Sequence, residues 1–266
     1  MRTDLCSGGQ IALILVALGA FVPRLAAQSG IPAAQDPTTT AEIPRTCNWR
    51  TLVPNTLDDQ RRIFGVFPAQ VAHRKHWVPV LTITAATAGL IVADQYDAPY
   101  FRRTTDLKTF NRVLSSNHTA AATLLVPAAL YLGGSFAHDS YAKETALLSG
   151  EAALDVEIVD FLLKVGSNRV RPISIPPRSN FADSFVEGRS RWNASFPSGH
   201  SIAAFAVATI VSRRYGQRHK WVTPLAYGAA AAIGLSRVTT SAHFPSDVFF
   251  GAALGYAISR FAVLHE

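Results

Sequence analysis

Six apolar stretches divide the chain after residue 76: Trp77–Ala93, Thr119–Phe136, Thr145–Val165, Ser201–Ser212, Val222–Leu235 and Val248–Val263. Their lengths and their wealth of Ala and Leu predict helices. No run of alternating β-branched residues predicts a sheet. Breakers stand between the stretches, at Asp97-Ala98-Pro99, from Pro172 to Pro177, and at Gly216. The pattern therefore predicts an all-α fold, a helical bundle of about six core helices. Ahead of the bundle, Thr56 to Lys75 mixes Leu57, Ile63, Phe64, Val66 and Phe67 with charges, as a short amphipathic helix or a lid would.

The N-terminus has another pattern. Arg2 precedes an apolar run from Ile11 to Val22, and Leu25-Ala26-Ala27 follows. That is the plan of a secretory signal over residues 1–27, or of an uncleaved anchor. Residues 28–55 are rich in Pro, Thr, Ala and Gln and predict a flexible tail. Residues 56–266 form the helical domain.

Charge complicates a membrane reading. Glu151, Asp155, Glu157 and Asp160 all fall in the third stretch, and Arg260 falls in the last. A charge at a bilayer centre costs ~2.5–3.5 kcal/mol on insertion scales, so a spanning bundle would have to hide these groups inside. If all six stretches crossed, the motif residues described below would share one side. The opposite side would hold Arg213-Arg214 and Arg218 to Lys220, and basic loops favour the cytoplasm. That alone would place the motifs outside the cytoplasm, but a cleaved signal would leave residues 28–76 on the same side as the basic loops. The two rules agree if the signal is not cleaved and itself crosses the membrane, or if the bundle sits wholly in the periplasm. The expectation is therefore an envelope protein that is membrane-associated or soluble and periplasmic.

The net charge of +7 over 266 residues suits anionic partners. No nucleic-acid-binding motif is present, so nucleic acid is not an expected partner. Cys6 and Cys47 do not make a disulfide framework, and no Cys/His cluster has metal-ligand spacing.

Candidate chemistry is concentrated in three late clusters. The first runs from Lys164 to Arg171-Pro172. Pro197-Ser198-Gly199-His200 is the second. Ser236-Arg237 with His243 and Asp247 is the third. Lys164, Arg171 and Arg237 are cations of the kind that grip a tetrahedral oxyanion. Ser198 and Gly199 precede a helical run whose start offers free N–H groups to an anion. The i, i+4 spacing of His243 and Asp247 allows the carboxylate to fix one ring nitrogen as N–H and leave the other free. Asp160, one turn before Lys164, is a candidate ion-pair partner for it. Asn168, Arg169 and Phe196 lie inside the motifs.

The spacings K-x6-R-P, P-S-G-H and S-R-x5-H-x3-D resemble the signature of the type 2 phosphatidic acid phosphatase (PAP2) superfamily. That superfamily also holds class A acid phosphatases and vanadium haloperoxidases. The resemblance implies a PAP2/haloperoxidase-like helical fold and a phosphatase that works without metal or other cofactor. It implies His243 as nucleophile forming a phosphohistidine, Asp247 as its orienting group, and His200 as general acid and base. Lys164, Arg171, Ser198, Gly199 and Arg237 would bind phosphate. The expected substrate is a phosphomonoester or pyrophosphate, a lipid phosphate where the bundle touches membrane and a soluble ester where it does not. A soluble periplasmic acid phosphatase and a vanadate-dependent haloperoxidase are the alternatives.

Overall fold

The computed structural model describes residues 47–74, 76–104, 107–114, 116–176, 181–185 and 194–266. The predicted signal and most of the predicted tail lie outside them. The described residues are helical, with no strand among them. The helices are α1 (Leu52–Arg61), α2 (Phe67–Ala72), α3 (Trp77–Arg103), α4 (Lys108–Val113), α5 (Ser116–Phe136), α6 (Ser140–Ser167), α7 (Gly199–Tyr215), α8 (Val222–Thr239) and α9 (Pro245–Ala257). A π-helical turn, Ile258–Val263, continues α9.

All six apolar stretches are helices. α7 is central and packs against α5, α6, α8 and α9. The main core joins Leu148, Ala152 and Val156 of α6 to Ile202, Ala206 and Ile210 of α7 and to Ile258 and Val263. Small residues permit the closest approaches. A methyl group on Gly255 would lie 2.2 Å from the Ile202 carbonyl oxygen, and one on Gly251 would lie 2.9 Å from that of Ser198. Gly251 and Gly255 thus form a small-xxx-small seam that seats α9 on α7.

Two boundaries differ from the sequence pattern. α3 does not stop at Asp97-Ala98-Pro99 but continues to Arg103 with Pro99 inside it. Proline removes one helical hydrogen bond and crowds the preceding turn. Tertiary contacts hold the last turns all the same: Asp94 and Ala98 are buried, and the Arg102 side chain donates to the Ile175 carbonyl. At the other end, helix begins at Leu52, within the stretch expected to be tail, and Cys47 is already buried against Glu151.

The polar face of α1 is turned inward. Asp59 is fully buried, Asn55 donates to Glu151 (3.3 Å) and Gln60 donates to Asp155 (2.9 Å). Glu151, Asp155 and Asp160 are hidden inside the bundle, as spanning would require, whereas Glu157 is exposed. Among the described residues, two helices are long and apolar enough to cross a membrane: α3, and α5 from His118 to Phe136. Both leave large apolar side chains uncovered, among them Val92, Tyr96, Leu124 and Leu132.

Candidate active site

α6 delivers the first cation and then ends abruptly. Lys164 lies in its last turn. Asn168 adopts the left-handed conformation (φ 46°), and its N–H bonds the Lys164 carbonyl at 3.0 Å. Asn tolerates this conformation better than most residues. The chain turns out of the helix there, which frees Arg169, Val170 and Arg171 to run across the end of the bundle.

Hydrogen bonds lace that segment to the other two motifs. The Ser195 N–H donates to the Arg169 carbonyl (2.7 Å), and the Ser198 N–H donates to that of Asp247 (3.1 Å). Ile173 bonds Ser241 (2.9 Å), and the N–H groups of Ala242 and His243 both reach the Arg237 carbonyl. Chain segments far apart in sequence thus meet at one end of the bundle.

Lys164 and Asp160 pair at 2.6 Å, as their spacing predicts. Gly199, the first residue of α7, presses against this pair. A methyl group there would stand 3.0 Å from Asp160 Oδ2 and 3.1 Å from Lys164 Nζ. Glycine therefore brings the N-terminus of α7, the positive end of the helix dipole, beside the lysine. Ser198 is the N-cap residue, though its side chain caps nothing; its hydroxyl accepts from Ser201 at 3.1 Å. His200 follows on the first turn and is half-buried.

Arg237 is buried, and Ser236 (3.0 Å) and the Leu114 carbonyl accept from its guanidinium. Arg171 is near enough to interact electrostatically with Arg237, Asp160, Asp247 and His243. Burial lowers the Arg171 pKa from the ordinary arginine value, against the pull of Asp247 and Asp160. The three cations, Ser198, Gly199, His243 and Asp247 thus belong to one neighbourhood, and His200 follows Gly199 at its edge.

His243 is buried, and its Nδ1 lies 2.7 Å from the Ser195 carbonyl. A carbonyl only accepts, so Nδ1 must carry the proton and the lone pair must lie on Nε2. Burial pushes the His243 pKa below the ordinary imidazole value; Asp247 opposes that shift and Arg171 adds to it. The ring is therefore neutral near pH 7, the form a nucleophile needs.

Asp247 does not hold His243 directly. The nearest approach to Nδ1 is 3.8 Å, because both carboxylate oxygens are otherwise engaged. Oδ2 accepts from the Ser195 hydroxyl (2.5 Å) and from the Phe244 N–H (2.8 Å), which caps α9. Oδ1 faces Arg169 at 2.6 Å. The link to His243 passes through Ser195, whose hydroxyl binds the aspartate and whose carbonyl binds the imidazole.

Arg169 and Asp94 are the residues that sequence reasoning underweighted. The Arg169 guanidinium is buried between Asp247 and Asp94 (2.8 Å), with Ser246 at 2.7 Å and Ser184 at 3.1 Å. The Phe244 ring lies 3.8 Å from it and Phe185 4.5 Å. Asp94 also binds the Ser246 N–H (3.2 Å) and hydroxyl. One available signal was a carboxylate directly after the apolar stretch Trp77–Ala93, on a helix that runs on past it.

The sequence model of the PAP2 superfamily matches residues 145–265, from the first turns of α6 through the chain's last helix. Over that stretch, a little under half of the chain, the protein is similar to the PAP2 superfamily. The matched stretch contains Lys164, Arg171, Ser198, Gly199, His200, Arg237, His243 and Asp247, and also Arg169; Asp94 comes from outside it. The lipid A 1-phosphatase of Porphyromonas gingivalis is 42% identical over 66 residues, 25% of this chain and 15% of that one. The lipid A 1-phosphatases of Rhizobium johnstonii and Rhizobium etli are 37% and 36% identical over 98 residues. Each of those matches covers 35% of this chain, with 36% and 38% of the relatives. The chain therefore spans well under half the length of these curated relatives. A solved transmembrane PAP2-type phosphatidylglycerolphosphate phosphatase from Bacillus subtilis aligns over 93% of both chains, at 18% identity and a TM-score of 0.39.

Proposed function

We propose that this PAP2-like domain is a phosphatase that hydrolyses phosphomonoesters or pyrophosphates of lipids, without metal, through a phosphohistidine. The observation that carries the reading is the His243 imidazole, buried with its Nδ1 proton held by the Ser195 carbonyl and within electrostatic reach of Arg171 and of Asp160, the ion-pair partner of Lys164.

In this mechanism the cations, the Ser198 hydroxyl and the N–H groups opening α7 bind the non-bridging oxygens. His243 Nε2 attacks phosphorus, forming a P–N bond as the P–O bond to the leaving group breaks. His200 donates a proton to the departing oxygen. It then takes a proton from water, whose oxygen attacks phosphorus and breaks the P–N bond. Phosphate leaves and both histidines return to their starting states. Ser195 and Asp247 stabilise the positive charge that His243 acquires on attack.

Two further observations support a lipid substrate. α3 and α5 present apolar side chains outward, and the relatives matching part of the domain are named for lipid A. We assign the protein to the cell envelope, with the site outside the cytoplasm. The test is phosphate release from lipid A, phosphatidic acid, polyprenyl pyrophosphate and p-nitrophenyl phosphate, with and without EDTA. Lipid phosphates in mixed micelles should be preferred, and EDTA should leave the rate unchanged. No release from any of the four would refute the phosphatase reading; loss of activity with EDTA would refute the metal-free mechanism.

A further inference from the structure

We propose that Arg169 and Asp94 are positioning residues for the nucleophile, acting on His243 through Asp247 and Ser195. The proposal rests on the phosphatase reading for its kinetic arm only. Its basis is a continuous buried chain of contacts: Asp94 to Arg169 at 2.8 Å, Arg169 to Asp247 at 2.6 Å, Asp247 to the Ser195 hydroxyl at 2.5 Å, and the Ser195 carbonyl to His243 at 2.7 Å. Ser246 braces it from the side, accepting from Arg169 and donating to Asp94.

Each link has a physical role. Asp247 must stay ionised and still if it is to stabilise charge on His243. A buried carboxylate stays ionised only with compensating partners, and Arg169 is its cation. Arg169 in turn could swing between two carboxylates. Asp94 holds its other terminal nitrogen, and the Phe244 and Phe185 rings cover the guanidinium. A planar fork with two anchored ends fixes direction as well as charge, which a lysine cannot do. The motif cations bind the substrate; Arg169, by contrast, is turned away from it toward the carboxylates. Asp94 stands on α3, so the outer helix becomes part of the catalytic arrangement. Displacing the corresponding outer partners of metal-site histidines costs about 10–100-fold in function, and a comparable loss is expected here.

A structural brace and a positioning group differ in what they do to the imidazole. The charged groups facing His243 are Asp247, Asp160 and Arg171, with Arg169 behind Asp247. Removing the positive charge in Arg169→Gln leaves Asp247 uncompensated and should raise the His243 pKa. Removing a negative charge in Asp94→Asn should lower it. A brace alone would lower the yield of folded protein and move neither value.

The experiment follows the His243 titration by NMR of the full-length protein, 15N-labelled at histidine, in detergent. His243→Gln assigns the signal. Wild type, Arg169→Gln, Arg169→Lys and Asp94→Asn are compared, with kcat and KM measured alongside. Opposite shifts of the His243 titration, with kcat reduced about tenfold or more and KM within about twofold, would support the proposal. Arg169→Lys should recover the pKa but not the full kcat. Unmoved titrations, or kcat per folded molecule equal to wild type, would overturn it. If Arg169→Gln does not fold, the nearly isosteric Asp94→Asn decides alone. A wild type that titrates as described but hydrolyses no phosphate ester would refute the phosphatase reading and leave the positioning network standing on the NMR shifts.

Discussion

One backbone carbonyl determines which nitrogen of His243 is free for the proposed attack on phosphorus. The Ser195 oxygen holds Nδ1 as N–H, and burial keeps the ring neutral below the ordinary value of 6.5. The sign follows directly. A neutral imidazole is required for attack, and a lowered pKa preserves it as pH falls, so the acidic limb of kcat/KM should lie below pH 6.5. Folding stability has the same sign. The unfolded chain takes up the proton near 6.5 and the folded chain only at lower pH, so His243 begins to destabilise the fold as pH drops through 6.5. A rate profile from about pH 4.5 to 8 checks the first statement; an acidic limb at 6.5 or above would contradict it. His243→Ala should reduce turnover by about a thousandfold or more while the circular dichroism spectrum remains helical. Gly199→Ala is a finer probe. Its methyl meets Asp160 Oδ2 at 3.0 Å and Lys164 Nζ at 3.1 Å, so the ion pair must give by a few tenths of an ångström. The fold should persist while kcat/KM falls on the order of tenfold through a misplaced cation.

At the scale of elements, the helices carrying the site are locked by glycine. α9 brings Asp247 and α7 brings Gly199 and His200, and their spacing is set where Gly255 meets the Ile202 carbonyl. Gly255→Ala must push the helices apart, an overpacking that costs about 1–3 kcal/mol and also shifts the two motifs. Gly228→Ala on α8 has nothing within 4 Å, so it should be neutral or stabilising by up to about 1 kcal/mol. Paired melting curves and rates in detergent check both. The helices themselves were legible because each is a long apolar run, and the motif residues because their spacing is short and fixed. What remained hidden depended on distant partners. Asp94 and Arg169 lie 75 positions apart, and no local pattern joins them. The passage of α3 through Pro99 was equally unreadable, since contacts from Ile175 and Arg169 outweigh a local breaker. α1 misled for another reason: its polar side chains, Asn55, Asp59 and Gln60, face the buried carboxylates of α6 instead of water.

For the molecule as a whole, the question is what covers α3 and α5. Val92 and Leu124 are 64% and 66% exposed, each within a helix long and apolar enough to cross a bilayer. In water such positions tolerate change, and a surface substitution normally stays within about 0.5 kcal/mol. In hydrocarbon an arginine near a helix centre costs about 2.5–3.5 kcal/mol. Val92→Arg and Leu124→Arg therefore separate the two environments without touching the catalytic residues. If lipid covers these faces, each variant should lose folded protein from the membrane fraction, and the two losses should add because the sites stand on different helices. The wild type should then resist a carbonate wash and require detergent for release. A protein released by carbonate, with both arginine variants at wild-type yield and activity, would mean that water covers these helices. A soluble phosphate ester would then become the expected substrate.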